Sequence, residues 1–289
     1  MANETGLSNV SGSVPKLWRV KALKARYAES KVWKLCINGV EGDPNVKGSI
    51  TKMGDTVHFQ IFPVLTVGNI STSDGSFTNQ VVTPTDKTIV INSWKAVNVD
   101  LVDIAGIQSV LDWEAEFADA FGKAISQQQD TDVLSLFQSG TWSFTNGPSQ
   151  SVPLSDGLVL LAQRTLDDNK IPKEDRHWVI APIAEADLLV LDKFSLANTT
   201  GFTKGLQVEG GRITGLYGTD VTVTPLVNST AAVRYNALFH KEAIGIVMQK
   251  NFTMEKFART KFSQPYAGSA LYGVAQLRAD HAFIVGTNA

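Results

Sequence analysis

The patterning of this chain predicts an α+β fold, and three observations carry the prediction. Strand-like alternation and helix-like spacing both occur, without the regular strand–helix–strand rhythm of a parallel sheet. One stretch, Val102 to about Gln129, has the length and apolar stripe of a long amphipathic helix. Before it, two strand-like runs are separated by a polar, turn-rich connection of roughly 20 residues, too long for a compact hairpin. No internal repeat and no heptad pattern occurs.

Residues 1–14 are small, polar and Gly/Ser-rich, which predicts a mobile start. Pro15 then suits the first turn of a helix on which Leu17, Val20, Leu23 and Tyr27 recur at helical spacing. Between residues 16 and 34 stand 7 Lys or Arg against a lone Glu29. Lys16, Arg19, Lys21, Lys24 and Arg26 are either a solvated basic face or an arm that touches DNA, a scaffold or a neighbouring subunit. Asp55–Val67 alternates Val57, Phe59 and Ile61 with polar residues, as a strand does. Pro63 cannot donate to a ladder and makes it an edge or bulged strand. A second strand runs from Lys87 through Trp94 to Leu101. The connection Gly68–Asp86 has no evident partner in the chain, and an isolated long hairpin is barely stable in water.

On the long helix, Ile104, Ile107, Val110, Leu111, Phe117, Ala118, Phe121 and Ile125 share one stripe, with Asp112, Glu114, Glu116 and Asp119 off it. Gly122 is its expected bend, because glycine is unfavourable in a helix interior. A second helix is expected over Ser155–Asp167, capped by Ser155 or Asp156, and a short one over Ala184–Leu191. Ile171–Ile180 turns the chain into a buried strand between them.

Composition excludes more than it selects. An apolar content of 43% is ample for a core, and a formal net charge of −2 argues against a dedicated tight nucleic-acid binder. The single cysteine, Cys36, can form neither an intrachain disulfide nor a multi-thiolate metal site, and its apolar neighbours predict a buried, inert thiol. The start lacks a signal peptide and no run approaches a membrane span, which predicts a soluble protein made in a reducing cytoplasm.

No phosphate loop, zinc helix or nucleophile elbow is present. Gly210, Gly211, Gly215 and Gly218 do not match a dinucleotide fingerprint and read as tight turns. His58, His177, His240 and His281 are scattered singly, and strand alternation would place His240 and Glu242 on one face without making a ligand set. Asp167-Asp-Asn-Lys170 lacks the spacing of a calcium loop and reads as a solvated turn. No catalytic residue, cofactor site or metal site is assigned.

The last third carries a resemblance. Val208-Glu-Gly-Gly-Arg-Ile-Thr-Gly-Leu-Tyr-Gly218, Val221-Thr-Val-Thr-Pro225, Ala237-Leu-Phe-His-Lys-Glu-Ala-Ile244 and Tyr272–Val285 form an ordered series. It resembles the closing segment of major capsid proteins of tailed double-stranded DNA bacteriophages, with the Hong Kong 97-like fold. The resemblance implies an N-terminal arm (1–46), an extended β-hairpin E-loop region (47–99) and a peripheral domain with a spine helix (100–180). An axial domain (181–245) and a return to the peripheral sheet (246–289) complete it. It further implies a coat protein whose pentamers and hexamers build an icosahedral virion shell around double-stranded DNA, assembled in the host bacterial cytoplasm. The implied partners are other copies of the chain, a scaffolding protein, a portal, a decoration protein and weakly held DNA, with no membrane and no cofactor. In this fold the E-loop lies over the adjacent subunit, which points to Asn69, Ser73, Asp74, Gly75 and Phe77 as subunit contacts. No match to the crosslinking Lys–Asn–Glu set, no inserted domain and no cleaved scaffold segment is found. Two alternatives stay open: an encapsulin-type compartment shell, and a soluble α+β enzyme or ligand-binding protein with a dispersed site.

Overall fold

The computed structural model describes residues 4–5, 31–39, 56–70, 73, 76, 79–103, 113–146, 152–191, 206–209, 212–230, 232–259 and 262–289. Its strands are β1 (Glu4–Thr5), β2 (Ile37–Asn38), β3 (Thr56–Ile61), β4 (Thr85–Val90) and β5 (Ser93–Val102). Then follow β6 (Phe144–Thr145), β7 (Arg176–Ile180), β8 (Leu206–Glu209), β9 (Arg212–Leu216) and β10 (Thr219–Val223). The last are β11 (Ser229–Thr230), β12 (Val233–His240), β13 (Ile244–Lys256), β14 (Ser263–Gln276) and β15 (Ala282–Asn288). The helices are α1 (Trp113–Ser139), α2 (Asp156–Asp168) and α3 (Pro182–Val190).

Two sheets organise these elements. A five-stranded sheet has the order β1-β5-β14-β13-β2, and its long antiparallel ladders come from the alternating runs of β5, β13 and β14. The other, eight-stranded, runs β6-β15-β12-β7-β10-β9-β8, with β11 beside β12. Its central strands are buried on both faces, so they carry continuous apolar runs, as in Ala237–Phe239 and Ala282–Val285. Tyr217 (φ 48°) and Gly218 (φ 85°) turn β9 into β10, the two-residue primed turn in which left-handed backbone is required.

Helix α1 ties the sheets together. At 27 residues it spans about 40 Å. Its first half lies on the five-stranded sheet, where Phe117 and Phe121 pack with Leu101, Tyr266 and Phe252. Its second half covers the eight-stranded sheet, where Val133, Leu134 and Phe137 meet Val179, Ala237, Phe239 and Ile284. The opposite face of that sheet (Trp178, Ile180, Leu238, Phe283, Val285) is covered by α2 and α3 through Val159, Ala162, Leu166, Ala184 and Leu188.

Several expectations need correction here. Val102 ends β5 rather than starting the long helix, because the period-2 run Val97, Val99, Leu101 continues to it. The helix also continues ten residues beyond Gln129. The polar run Gln127–Asp132 interrupts its stripe where it crosses between sheets, and the Gly140 N–H makes a last helical bond to the Leu136 carbonyl at 2.7 Å. The boundaries at 180/181 and 245/246 do not follow the sheets. α2 and β7 belong with the eight-stranded sheet, and the terminal strand β15 pairs with β12 there instead of completing the sheet of β13 and β14. By contrast α2 falls where expected, with the Ser155 side chain accepting the Leu158 N–H.

Candidate functional site

The feature that the body of the fold leaves unsatisfied is the hairpin β3–β4. Its strands pair antiparallel from Thr56↔Val90 to Ile61↔Thr85. The base does have an intrachain partner, contrary to the sequence reading. Val57, Ile89 and Ile91 pack with Val247 and Leu277 on the sheet face opposite α1. Gly273 allows this close approach, since a Cβ there would lie 2.3 Å from the Val90 carbonyl oxygen.

Beyond Ile61 and Thr85 the support ends. Val64, Val67 and Val81 are 95%, 101% and 91% exposed, and Phe62, Leu65, Ile70 and Val82 are exposed with them. Gln80 ties the two limbs of the projection: its Oε1 accepts the Thr66 N–H at 3.1 Å, and its Nε2 donates back to the Thr66 carbonyl. At the base of the tip, His58 Nδ1 sits 2.6 Å from Asp86 Oδ2. So many large apolar side chains on one projection exceed the scatter normal for a monomer surface and mark an interaction site.

Of the residues expected to make subunit contacts, Asn69 and Ser73 lie exposed on this projection. Asp74, Gly75 and Phe77 lie outside the described residues. The stronger feature is the apolar flanks of the connection, which the sequence reading passed over for its polar middle. Their signal was available: Val64-Leu65-Thr66-Val67 and Val81-Val82 are apolar yet show no helical or strand alternation.

Lys16, Arg19, Lys21, Lys24 and Arg26 also lie outside the described residues. The segment that follows them is anchored from Lys31 onward. Buried Asp130 of α1 accepts the backbone N–H groups of Lys31 at 3.0 Å and Trp33 at 2.9 Å. β2 then pairs with β13, and the Gly39 N–H donates to the Ile246 carbonyl. Cys36 is buried in this segment; burial first, and then the Asp130 charge, push its thiol far above the ordinary range, so it is inert. Gly122 stands within α1, where an added Cβ would meet the Phe252 ring at 3.7 Å, an ordinary contact.

Three titratable groups gather elsewhere in a way the sequence did not reveal. Residues 241–243 form a 3-10 turn and not a continuing strand, so His240 and Glu242 are not placed by strand alternation. The turn brings them to His281, with one ligand atom of each within 4.8 Å of the others.

No protein-family model and no curated protein matches the chain by sequence. Solved structures do match. A chain of Mycobacterium phage Che8 superposes with a TM-score of 0.74 at 19% identity, covering 94% of this chain and 96% of that one. A chain from the capsid structure of cyanophage P-SCSP1u gives 0.73 at 16% identity, covering 96% and 94%. The holo-SrpI encapsulin complex of Synechococcus elongatus contributes a weaker match, 0.52 at 12% identity over 79% and 81%. The fold class is therefore that of the phage capsid chains, the Hong Kong 97-like α+β arrangement the sequence resemblance implied.

Proposed function

We propose that this chain is the major capsid protein of a tailed bacteriophage, a structural subunit and not an enzyme. The observation that carries the reading is the hairpin tip, whose apolar flanks find no cover within the described residues of their own chain. In a shell, the tip would lie on a second copy, and the same heterologous contact repeated round a ring would close pentamers and hexamers. Obligate contacts of this kind bury on the order of 2,000 Å² or more.

On this reading the five-stranded sheet and the first half of α1 form the peripheral domain, and the eight-stranded sheet with α2 and α3 forms the axial domain. The protein would be assembled in the host cytoplasm with a scaffolding protein and a portal, and would reside in the virion capsid. Decoration protein and weakly held DNA complete its partners. Lys16, Arg19, Lys21, Lys24 and Arg26 would face scaffold or DNA. A net charge of −2 suits a container that must release its genome. Among the described residues no helix is long and apolar enough to cross a membrane.

Replacing Val64–Val82 with a short Gly/Ser turn tests the role of the tip. The expected subunit keeps its circular dichroism spectrum and cooperative unfolding but no longer assembles; particles of unchanged size would refute the assignment. An encapsulin-type shell is the second reading, favoured by the TM-score of 0.52 to SrpI but ranked behind the phage reading by 0.74 and 0.73. Nuclease-protected double-stranded DNA inside particles from an infected or induced host supports the phage reading, whereas packaged enzyme without DNA supports the other.

A further inference from the structure

The chain crosses between the two sheets twice at one spot. β12 ends at His240 and reaches β13 through the turn Lys241–Ala243; β14 returns to β15 through Leu277–His281. The crossings are stitched by backbone bonds from His240 N–H to the His281 carbonyl (2.9 Å) and from Leu277 N–H to the Ala243 carbonyl (2.9 Å). Here the imidazoles of His240 and His281, each 7% exposed, meet edge to face with centroids 5.6 Å apart.

Neutral imidazole nitrogens are the commonest protein ligands of a zinc-like cation. Asp280 Oδ1 lies 2.9 Å from His281 Nδ1, so Nδ1–H donates to the carboxylate and the Nε2 lone pair is left available. This is the carboxylate–histidine pairing that orients metal ligands. His240 Nδ1 accepts only a long bond, 3.3 Å, from the Glu242 N–H, which a cation can replace. Glu242 Oε2 lies 3.3 Å from Arg278 Nε, which neutralises it in the absence of metal. Zinc bonds of about 2.0–2.2 Å set tetrahedral ligand atoms about 3.4 Å apart, and the three atoms here are within 4.8 Å of one another, so rotamer adjustment closes the set.

We propose that His240, Glu242 and His281 form a divalent metal site of the zinc class that clamps the two crossings between the sheets. Two imidazole nitrogens and one carboxylate select zinc-like cations over magnesium or calcium, which prefer all-oxygen shells. The fourth position is left to water. The site is independent of the shell reading, since it lies within one chain.

The test is calorimetric titration of Zn²⁺ into the metal-free full chain. One saturable zinc per chain is expected, with a thermal midpoint that rises on zinc addition. Glu242→Gln, on a half-exposed side chain, should weaken binding at least about tenfold, and Asp280→Asn about 10- to 100-fold. His281→Asn should abolish the zinc-dependent thermal shift, while His58→Ala, at the exposed His58–Asp86 pair, should leave binding unchanged. Absence of saturable zinc binding overturns the proposal. So does zinc binding that survives Glu242→Gln and His281→Asn intact.

Discussion

Asn236 is wholly buried in the eight-stranded sheet and makes two bonds that no apolar residue could. Its Oδ1 accepts the Ala181 N–H at 2.7 Å, and its Nδ2 donates to Thr287 Oγ1 at 2.7 Å, so one side chain joins β12 to the start of α3 and to β15. Asn236→Ala strands the Ala181 N–H without a partner and should destabilise the subunit by about 2–3 kcal/mol, read as a lower urea midpoint with unchanged slope. His177 supplies a pH signature. Burial lowers its pKa, with Lys241 assisting and the charges of Asp220 and Asp175 opposing. The unfolded chain therefore takes up the proton first as pH falls below about 6.5, so stability is full above that value and declines toward the folded pKa. In metal-free buffer, His177→Gln should flatten the loss of urea midpoint between about pH 7.5 and about pH 5.5; a slope equal to wild type would contradict the assignment. At this scale the sequence was legible where local chemistry decides. Buried Cys36 and the Ser155 cap were both evident from their neighbours. The His240–Glu242–His281 grouping was not, because a 3-10 turn and a distant crossing assemble it.

Two glycines show how elements are fitted together. Gly273 of β14 faces the carbonyl of Val90, and the atoms a Cβ would meet there are backbone, which cannot rotate away. Gly273→Ala should push the hairpin base off the sheet, lowering stability by about 1–3 kcal/mol and raising amide exchange in β3 and β4 above the rest of the fold. Gly122 is the opposite case. Its Cβ would find ordinary contact with Phe252, so Gly122→Ala should stabilise the isolated subunit by about 0.5–1 kcal/mol. If α1 flexes there when a shell expands, the same change should slow expansion; an unaltered rate removes Gly122 from that role. Elements with one face against one partner were readable from periodicity, as α2 and α3 show. The strand expected over 55–67 instead ends at Ile61, and the one expected from Lys87 to Leu101 divides into β4 and β5 of separate sheets. The bounds of α1 were not readable, because its stripe serves two sheets in turn. Between them Asp130 and Asp132 face inward to polar duties: Asp130 holds the segment at Lys31–Trp33, and Asp132 accepts the Tyr272 hydroxyl at 2.6 Å.

For the whole molecule, the α+β class and the long hairpin followed from local pattern, and the order of elements carried the family resemblance. Sheet membership did not follow, since strand pairing between residues such as Phe239 and Ala282 depends on how α1 divides the core. Among the described residues, the projection carrying Phe62–Ile70 and Val81–Val82 is rich in apolar side chains that face water in the single chain. A second copy is the partner that would cover it in every subunit of a closed shell. The mass and image of the full-length chain after assembly, by light scattering and negative-stain microscopy with and without its scaffolding protein, test this most directly. Closed icosahedral particles of uniform size are the expected result. A chain that stays monomeric or dimeric under every condition, scaffold included, would contradict it.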